Sequence, residues 1–250
     1  MYLSVVVPCF NEQENLERGV LGEMAAFLAS QPYASEVVIS DDGSTDGSLR
    51  LAQAFASAHP AFRVLANEHA GKPFAIRAAL PETRGEIVLL TDMDQSTPLR
   101  EVTRLLPHFQ EGYAVVVGSR GVERRNSPRY RQLASRVFRA FRRGLLLRDI
   151  EDTQCGFKAM RRDVATALFD RLQIFREMRG LARGWRVTAY DVELLFVAEK
   201  MGHRVKEVPV EWRNEDITRG KKKSFVRESW EMLGEVLRVK WNDLRGLYNA

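Results

Sequence analysis

The segment "EIVLLTDMD", residues 86–94, joins an apolar run to two aspartates. The run is short and apolar throughout, which is typical of a β-strand buried on both faces. Asp92 and Asp94 follow it, and alternate residues of an extended segment share a face, so both carboxylates can point to one place. Two carboxylates held this close repel each other unless a cation lies between them. Two interpretations fit: a divalent-cation site at a strand end, or a solvated turn before a helix that starts at Thr97-Pro98.

Four more segments of the first half have strand character, and segments with helical spacing separate them. The strands are predicted at "YLSVVVP" (2–8), "EVVIS" (36–40), "FRVLA" (62–66) and "YAVVVGS" (113–119), and the helices at 12–30, 46–58, 72–80 and 99–110. This alternation favours an α/β fold with a Rossmann-like, mostly parallel central sheet flanked by helices. Such sheets bind ligands at the carboxyl ends of their strands, so "PCFNE", "SDDGSTDG" and "TDMD" are expected along one edge.

The second half is less regular, and residues 173–188 fit neither a helix nor a strand pattern. The predicted elements are a basic amphipathic helix at 129–148, a turn-rich loop "DIEDTQCGFKAM" at 149–160, helices at 162–171 and 191–201, a strand within "HRVKEVPVEW" (203–212) and a helix at 224–250. In the last helix, apolar residues recur at steps of three and four and form one stripe. The stripe consists of Val226, Trp230, Leu233, Leu237, Trp241, Leu244 and Tyr248.

Composition limits the class of protein. A chain of 250 residues with 45% hydrophobic and 28% charged residues has ample material for a globular core. It contains no apolar run of about 18 residues, the length that predicts a membrane span. The start, "MYLSVVVPCFNE", lacks the features of a signal peptide, so a cytoplasmic location is expected. With only two cysteines, Cys9 and Cys155, reduced thiols are expected.

The net charge of +5 is concentrated in two segments. Residues 129–148 contain seven arginines and no acid, and residues 219–223 read "RGKKK". An arginine-rich helix with an apolar side suits an anionic membrane surface, and a solvated basic face is the alternative. The stripe of the last helix extends that surface, forms a homodimer contact or covers the core. A nucleic-acid-binding module is disfavoured, because it leaves the aspartate loops unexplained and the usual aromatic stacking motifs are missing.

The loop "SDDGSTDG", residues 40–47, also follows a predicted strand. As a structural turn, it would use Asp46 to cap the next helix and its glycines to adopt positive φ. That interpretation does not explain Asp41 and Asp42. A carboxylate at a strand end can accept hydrogen bonds from a base N–H or from ribose hydroxyls, so a nucleotide site is the second interpretation.

The ordered set of motifs resembles the family 2 glycosyltransferases of the GT-A fold. The resemblance rests on "VVVPCFNEQENL", "VVISDDGSTDGS", "NEHAGKPFAIRAAL", "VLLTDMD" and "VVVGSR", in that order. The later blocks "DTQCGFKAM", "YDVELLFVAEKMG" and "VKEVPVEW" are most similar to the dolichyl-phosphate β-glucosyltransferases, with the dolichyl-phosphate mannose synthases as relatives. The resemblance extends from Leu3 to about Trp212. It implies a GT-A catalytic domain at 1–212, with a nucleotide-sugar half at about 1–120 and an acceptor half at about 121–212, and then a basic loop and amphipathic helix at 213–250.

The resemblance also implies roles for individual residues. Asp92 and Asp94 match the family's metal-binding pair, so Mg²⁺ or Mn²⁺ is the expected cofactor. Arg120 matches a basic position that faces a donor or acceptor phosphate, and Asp191 and Glu193 match an acidic pair of the glucosyltransferase branch. The remaining positions match the nucleotide-sugar contacts: Pro8, Phe10, Asn11, Glu12, Asp41, Asp42 and Lys72.

This chain departs from both branches just after Asp94. The mannose synthase pattern has Gln two residues after that aspartate and the glucosyltransferase pattern has Gly one residue after it, whereas this chain has Gln95 and Ser96. The third protein ligand of the metal therefore stays open. The tail carries extra lysines, and the family's membrane-spanning tail, present in several members, is not expected here.

The implied reaction moves a hexose, with glucose favoured, from a nucleotide sugar such as UDP-glucose or GDP-mannose to a polyprenyl phosphate at the cytoplasmic membrane face. A phosphate oxygen is already anionic, so such an acceptor needs alignment and charge stabilisation rather than a strong base. Candidate acceptor-phosphate ligands are Arg120, Arg213, Arg219, Lys221, Lys222 and Lys223. A sugar hydroxyl as acceptor would need a base, for which Asp191 and then Asp152 are the candidates. Asp191 and Glu193 are otherwise acids at a helix N-terminus, which the helix dipole favours.

Overall fold

The computed structural model of the chain describes residues 1–120, 150–177, 190–213 and 225–249, with side chains in the last range described from residue 233 onward. The basic helix predicted at 129–148 lies outside the described residues, as do 178–189 and the basic run at 219–223. None of the helices in the described ranges is long and apolar enough to cross a bilayer.

The described strands form one seven-stranded sheet in the order β3-β2-β1-β4-β6-β5-β7. All described pairings are parallel except those of β6 with β4 and β5. The prediction of a mostly parallel sheet is confirmed. The strands are β1 Leu3–Cys9, β2 Ser35–Asp41, β3 Phe62–Ala66, β4 Ile87–Leu90, β5 Val115–Ser119, β6 Lys158–Arg161 and β7 Val205–Pro209.

Helices cover both faces of this sheet. They are α1 Gln13–Glu17, α2 Val20–Ala29, α3 Ser48–Ala58, α4 Lys72–Ala79, α5 Val102–Leu105, α6 Arg162–Arg171, α7 Ile174–Glu177, α8 Tyr190–Lys200 and α9 Phe225–Leu244. Alternate strand residues serve opposite faces, as the two-residue period of a strand requires. Val6 packs in one core cluster with α4, α6, α8 and α9, while Val5 and Val7 pack in the other with α2, α3 and α5. This two-sided burial explains the uninterrupted apolar character of β1.

Three predicted elements are corrected by the structure. The helix predicted at 12–30 is two helices, because Gly19 between them has φ 93°, which a right-handed helix does not allow. The helix predicted at 99–110 is the single turn α5 between two 3₁₀ segments, one of which contains Pro107. The loop predicted at 149–160 contains the start of β6, which pairs antiparallel with β4 and β5.

The last helix buries a different face from the predicted apolar stripe. Val236 and Val239 are fully buried against the core, whereas Leu237, Trp241 and Leu244 are 50%, 62% and 71% exposed. These three stripe residues therefore do not cover the core. Tyr248 follows the helix and is buried. Both cysteines are free and buried.

Candidate functional site

The aspartate pair lies in a cleft of about 210 Å³ at the carboxyl ends of the central strands. The register of the sheet explains this position, since β4 pairs with β1 as far as Leu90 and Val6, and the chain then turns away into the aspartate loop. Residues from both predicted halves of the domain meet here. The lining residues are Thr91, Asp92, Asp94, Ser96, Thr97, Arg120, Gln154, Cys155, Gly156, Phe157 and Trp212.

Asp92 is ion-paired with the ammonium group of Lys72, the first residue of α4. Burial by itself raises the pKa of Asp92, but Lys72, Lys158 and Arg120 outweigh it and hold that pKa below its usual range. Burial likewise opposes the charge on Lys72, and the adjacent Asp92 still raises the pKa of the lysine above normal. Both groups are therefore ionised at neutral pH, and the ammonium group of Lys72 already contacts one carboxylate oxygen of Asp92.

Gly156 forms the floor beneath Asp92. A Cβ atom at position 156 would overlap Oδ2 of Asp92, so only glycine lets the backbone pass this close to the carboxylate. Lys158 stabilises the loop that contains Cys155 and Gly156, because its fully buried ammonium group donates to the carbonyl of Cys155. The segment that leads into β6 thus shapes the end of the cleft that contains the two aspartates.

Asp94 lies in a tight turn. Its Oδ1 accepts the backbone N–H of Ser96 at 2.9 Å, and its carbonyl accepts from Arg18 at 2.6 Å. Gln95 adopts φ 52°, and its side-chain amide donates to the carbonyl of Asp92 at 2.8 Å. Gln95 therefore stabilises the turn. Within the described ranges, no group of three His, Cys, Asp or Glu side chains is arranged to hold a metal, so these two aspartates have no third ligand of those types there.

Arg120 borders the same cleft and is held by Asp152. Its guanidinium donates to both carboxylate oxygens, with Nε–Oδ2 at 2.7 Å and Nη2–Oδ1 at 2.8 Å, and its backbone N–H also reaches Oδ2. Burial opposes both charges, yet the pairing raises the pKa of Arg120 and lowers the pKa of Asp152. The ring of Trp212 lies 5.9 Å from the guanidinium carbon. The arrangement presents a fixed cation in the same cleft as the aspartates.

The two acids at the start of α8 have different surroundings. Asp191 pairs with buried Lys158 at 2.5 Å, close to Lys72. Glu193 is fully buried, pairs with Arg238 of α9 at 3.3 Å and accepts from Tyr248 at 2.8 Å. Burial raises the pKa of Glu193. Asp191 thus belongs to the charged cluster beside the cleft, whereas Glu193 links α8 to α9 and to the segment after it through its contacts with Arg238 and Tyr248.

The loops after β1 and β2 interlock through hydrogen bonds. Asn11, at φ 54°, accepts from the backbone of Thr45 at 2.8 Å, and Glu12 donates its N–H to Ser48 at 2.8 Å. Pro8 pairs in register with Ser40 at the end of the sheet. These contacts place the "PCFNE" and "SDDGSTDG" segments side by side, as the parallel sheet predicts.

The acidic pair of the second loop is almost completely buried. Asp41 accepts from the backbone N–H of Ser44 at 2.9 Å through Oδ2. Asp42 accepts from the backbone of Ala70 at 2.9 Å and of Gly71 at 2.9 and 3.1 Å, using both oxygens. Asp42 therefore fixes the loop that leads into Lys72.

Comparison with known proteins identifies the family. The model for glycosyl transferase family 2 matches residues 4–169, well over half of the 250 residues. The chain is a family 2 glycosyltransferase. It is 30% identical over 267 residues to the dolichyl-phosphate beta-glucosyltransferase of Dictyostelium discoideum, covering 99% of this chain and 76% of that protein.

Solved structures show that the glycosyltransferase has the expected GT-A fold. Mannosyl-3-phosphoglycerate synthase from Rubrobacter xylanophilus matches with a TM-score of 0.69 at 21% identity, over 98% of this chain and 75% of that one. Glucosyl-3-phosphoglycerate synthase from Mycobacterium tuberculosis, solved with Mn²⁺, UDP-glucose and phosphoglyceric acid, matches with a TM-score of 0.63 at 21% identity, over 96% and 80%. At this identity the likeness concerns the fold.

Of the predicted acceptor-phosphate residues in this glycosyltransferase, Arg120 and Arg213 lie within the described residues. The backbone N–H of Arg213 donates to the carbonyl of Ser96 at 2.7 Å, which brings the residue to the rim of the cleft, where its side chain pairs with Glu211. Arg219, Lys221, Lys222 and Lys223 lie outside the described residues.

Several residues that shape this site are not among those for which the motifs predicted a role. Gly156, Lys158 and Arg18 each contact the aspartate segment or its support, and His69 packs against Phe10 and Asp42. A glycine and a lysine within "QCGFK" carry no local periodic signal. Their roles arise from contacts with residues that are distant in the chain.

Proposed function

We propose that this glycosyltransferase moves a hexose, with glucose favoured, from a nucleotide sugar to a polyprenyl phosphate, and that the reaction is metal-dependent and inverts the anomeric centre. The observation that carries the proposal is that one cleft holds an acidic pair, Asp92 and Asp94, and a fixed cation, Arg120. These two charge types match the two reaction partners, a metal-bound diphosphate and an acceptor phosphate. The curated relative named above acts on dolichyl phosphate by its name, which supports the same acceptor class here.

Asp92 and Asp94 fit a hard divalent cation in their chemistry. Carboxylate oxygens suit Mg²⁺ and Mn²⁺, which commonly bind with few protein ligands and take further oxygens from phosphate and water. Two protein carboxylates, with no third one beside them among the described residues, are consistent with this mode. When bound, the ion would stabilise the charge of the departing nucleoside diphosphate. Lys72 neutralises Asp92 in the present arrangement and lies next to the site where the diphosphate would bind.

The electrostatics of the cleft favour a phosphate acceptor over a sugar hydroxyl. The two residues considered as general bases are both ion-paired, Asp152 with Arg120 and Asp191 with Lys158. Pairing with Arg120 lowers the pKa of Asp152 despite its burial, which makes it a weak base. An acceptor that is already anionic needs only positioning, which Arg120 and Arg213 would supply, with Arg219 and Lys221 to Lys223 as further candidates from the sequence.

The membrane surface is the proposed working place of the enzyme. Leu237, Trp241 and Leu244 form an exposed apolar stripe on α9. Arg245 is exposed beside it, whereas Glu235 and Asp243 are engaged in ion pairs with Arg238 and with Lys200 and Lys240. Apolar residues flanked by basic ones suit the interface of an anionic bilayer. A homodimer contact is the alternative occupant of the stripe.

Thermal shift with nucleotides tests the donor site. Purified protein is heated with UDP, UDP-glucose, GDP or GDP-mannose, each with and without Mn²⁺. Stabilisation by the uracil nucleotides that requires Mn²⁺ is the expected result, since a ligand that binds the native state raises its stability. Asp94→Asn should remove this shift. Stabilisation by the guanine nucleotides alone would replace glucose with mannose in the proposal, and no shift with any nucleotide would refute the donor site.

A further inference from the structure

His69 lies at the edge of the sheet where the loops after β1, β2 and β3 meet. Its imidazole stacks on the ring of Phe10 with the centroids 4.1 Å apart and the planes at 12°. Only Ala70 and Gly71 separate it from Lys72, whose ammonium group contacts Asp92. Three residues of extended chain span at most about 10 Å, so the backbone of His69 lies within that distance of the backbone of Lys72.

Asp42 fixes the orientation of this imidazole. Nδ1 of His69 lies 2.9 Å from Oδ2 of Asp42 and 3.0 Å from the carbonyl of the same residue, both of which are acceptors. Nδ1 therefore carries a proton, and this N–H donates a hydrogen bond to Asp42. In a neutral imidazole whose Nδ1 carries the proton, Nε2 is a hydrogen-bond acceptor.

That acceptor has no donor within the part of the chain that the structure describes. Nε2 of His69 is buried without a hydrogen-bond partner there, and so is Oδ1 of Asp41, in the same group of loops. Asp41 is 1% exposed and its other oxygen accepts from Ser44 at 2.9 Å. Buried polar atoms in native proteins are nearly always paired with protein, ordered water or ligand, so these two acceptors are positions at which a bound molecule can supply donors.

We propose that His69 is a nucleoside-binding residue of this enzyme, with Nε2 accepting a hydrogen bond from the donor nucleotide. A nucleoside carries two kinds of donor that fit, a ribose hydroxyl and a base N–H. Asp42 acts as the positioning residue that sets the ring, and Phe10 keeps the ring in its plane. The inference rests on the proposed function, because it takes a nucleoside diphosphate as the ligand of the adjacent aspartates.

Calorimetric titration of UDP in the presence of Mn²⁺ at pH 8 tests the role of His69. His69→Asn retains a side-chain amide where Nδ1 donates to Asp42 but has no atom at the position of Nε2. His69→Gln restores a polar group near that position. Loss of one well-placed hydrogen bond predicts about tenfold weaker binding for His69→Asn and partial recovery for His69→Gln. A Kd for His69→Asn within about twofold of the wild-type value would overturn the inference.

Nucleotide analogues separate a direct contact from a structural effect. They are 2′-deoxy-UDP, 3′-deoxy-UDP and N3-methyl-UDP, each lacking one donor. The analogue that lacks the donor accepted by Nε2 should bind the wild type weakly and be insensitive to His69→Asn, which also identifies the group. If His69→Asn weakens UDP and every analogue equally, the side chain only supports the loop and the inference is wrong.

The same titrations distinguish failure of this inference from failure of the proposed function. A wild-type protein that binds UDP with Mn²⁺ while the His69 variants bind equally well retains the proposed function and loses the inference. A wild-type protein that does not bind UDP refutes the uracil donor itself. Should His69→Asn not fold, the wild-type protein must still discriminate against at least one of the three analogues, and equal binding of all three would overturn the inference.

Discussion

At the scale of single residues, Gly156 shows how a residue without a side chain determines the space available to Asp92. Because a Cβ at this position overlaps the Asp92 carboxylate, Gly156→Ala must displace either the loop or Asp92. We expect binding of UDP with Mn²⁺ to weaken by about tenfold or more, since a displacement of about 1 Å is costly in a site of this kind. Calorimetric titration of the variant measures this loss.

Gly22 provides the matched control for this prediction. It lies on α2, and a Cβ there would meet no atom within 4 Å. Gly22→Ala should leave nucleotide binding unchanged and raise stability by up to about 1 kcal/mol, because alanine is the better helix former. Equal nucleotide affinity in the two variants would contradict the role given to Gly156.

The pair of Asp152 and Arg120 predicts a pH dependence of stability. In the fold, the pKa of Asp152 is lowered by Arg120 despite burial, so its stabilising contribution is complete above the unfolded pKa and is lost as the pH falls through the folded value. Asp152→Asn should lower Tm at pH 7 by about 4–8 °C, corresponding to about 2 kcal/mol. The difference in Tm between wild type and variant should narrow as the pH falls from about 4 to the folded pKa of Asp152, because the unfolded pKa of an aspartate is about 3.9.

Differential scanning calorimetry at pH 7, 5, 4 and 3 measures the Tm of wild type and variant. Asp170, whose contact with Arg77 is 3.6 Å and exposed, supplies the control Asp170→Asn, for which we expect almost no Tm change at any pH. A gap for Asp152→Asn that stays constant down to pH 3 would show that the charge of this residue does not stabilise the fold.

The C-terminal helix α9 shows what the element scale adds. Its sequence predicts one apolar stripe, but packing buries Val236 and Val239 and leaves Leu237, Trp241 and Leu244 outside. A helix with two apolar faces can pack only one of them against the core of its own domain. The exposed face is therefore the part of α9 that we propose contacts the membrane surface, with a second copy of the chain as the alternative.

Vesicle sedimentation tests whether that partner is an anionic bilayer. Replacing both Leu237 and Trp241 with Ser should reduce binding to vesicles with anionic headgroups by at least about tenfold, since each large apolar side chain buried in the interface contributes about 1.5–3 kcal/mol. Gln53→Ala, on the exposed side of α3, is the control and should bind like wild type. Unchanged vesicle binding by the double variant would contradict the membrane role, and a wild-type dimer that this variant dissociates would support the homodimer contact.

Lys158 and Asp191 connect distant parts of the molecule at the scale of the whole fold. The fully buried ammonium on β6 pairs with the carboxylate at the start of α8 at 2.5 Å. Removing either partner leaves the other charge buried and uncompensated. Lys158→Met and Asp191→Asn should each lower the free energy of unfolding by about 3–5 kcal/mol, and the double variant by clearly less than their sum.

Urea unfolding of the four proteins in this cycle gives the coupling energy. The exposed pair of Arg100 and Glu211, also 2.5 Å apart, is the control cycle, with an expected coupling of about 0–1 kcal/mol. Strictly additive effects of the Lys158 and Asp191 changes would show that their contact contributes nothing to stability.

Features that depend on neighbouring residues can be predicted from the sequence, whereas features that depend on contacts between distant segments cannot. Short apolar runs and their alternation with helical segments predicted most strands correctly and placed the acidic loops along one edge of the sheet. Strand β6 was missed because four residues within a Gly-containing loop carry no alternation, and its antiparallel pairing with β4 and β5 is purely tertiary. The division of 12–30 at Gly19 was missed because a single glycine is tolerated in many helices.

The sequence by itself determined the α/β fold class through its apolar runs and their order, and the resemblance of its ordered motifs implied the GT-A family and its aspartate pair, because both signals can be read along the chain. Only the tertiary structure decided which charges pair, as with Lys72 and Asp92 or Arg120 and Asp152, and which face of α9 is buried. It also separated Asp191, beside the cleft, from Glu193, which fastens α9. These outcomes depend on close packing between segments far apart in the chain, where a single Cβ or one unpaired charge is decisive.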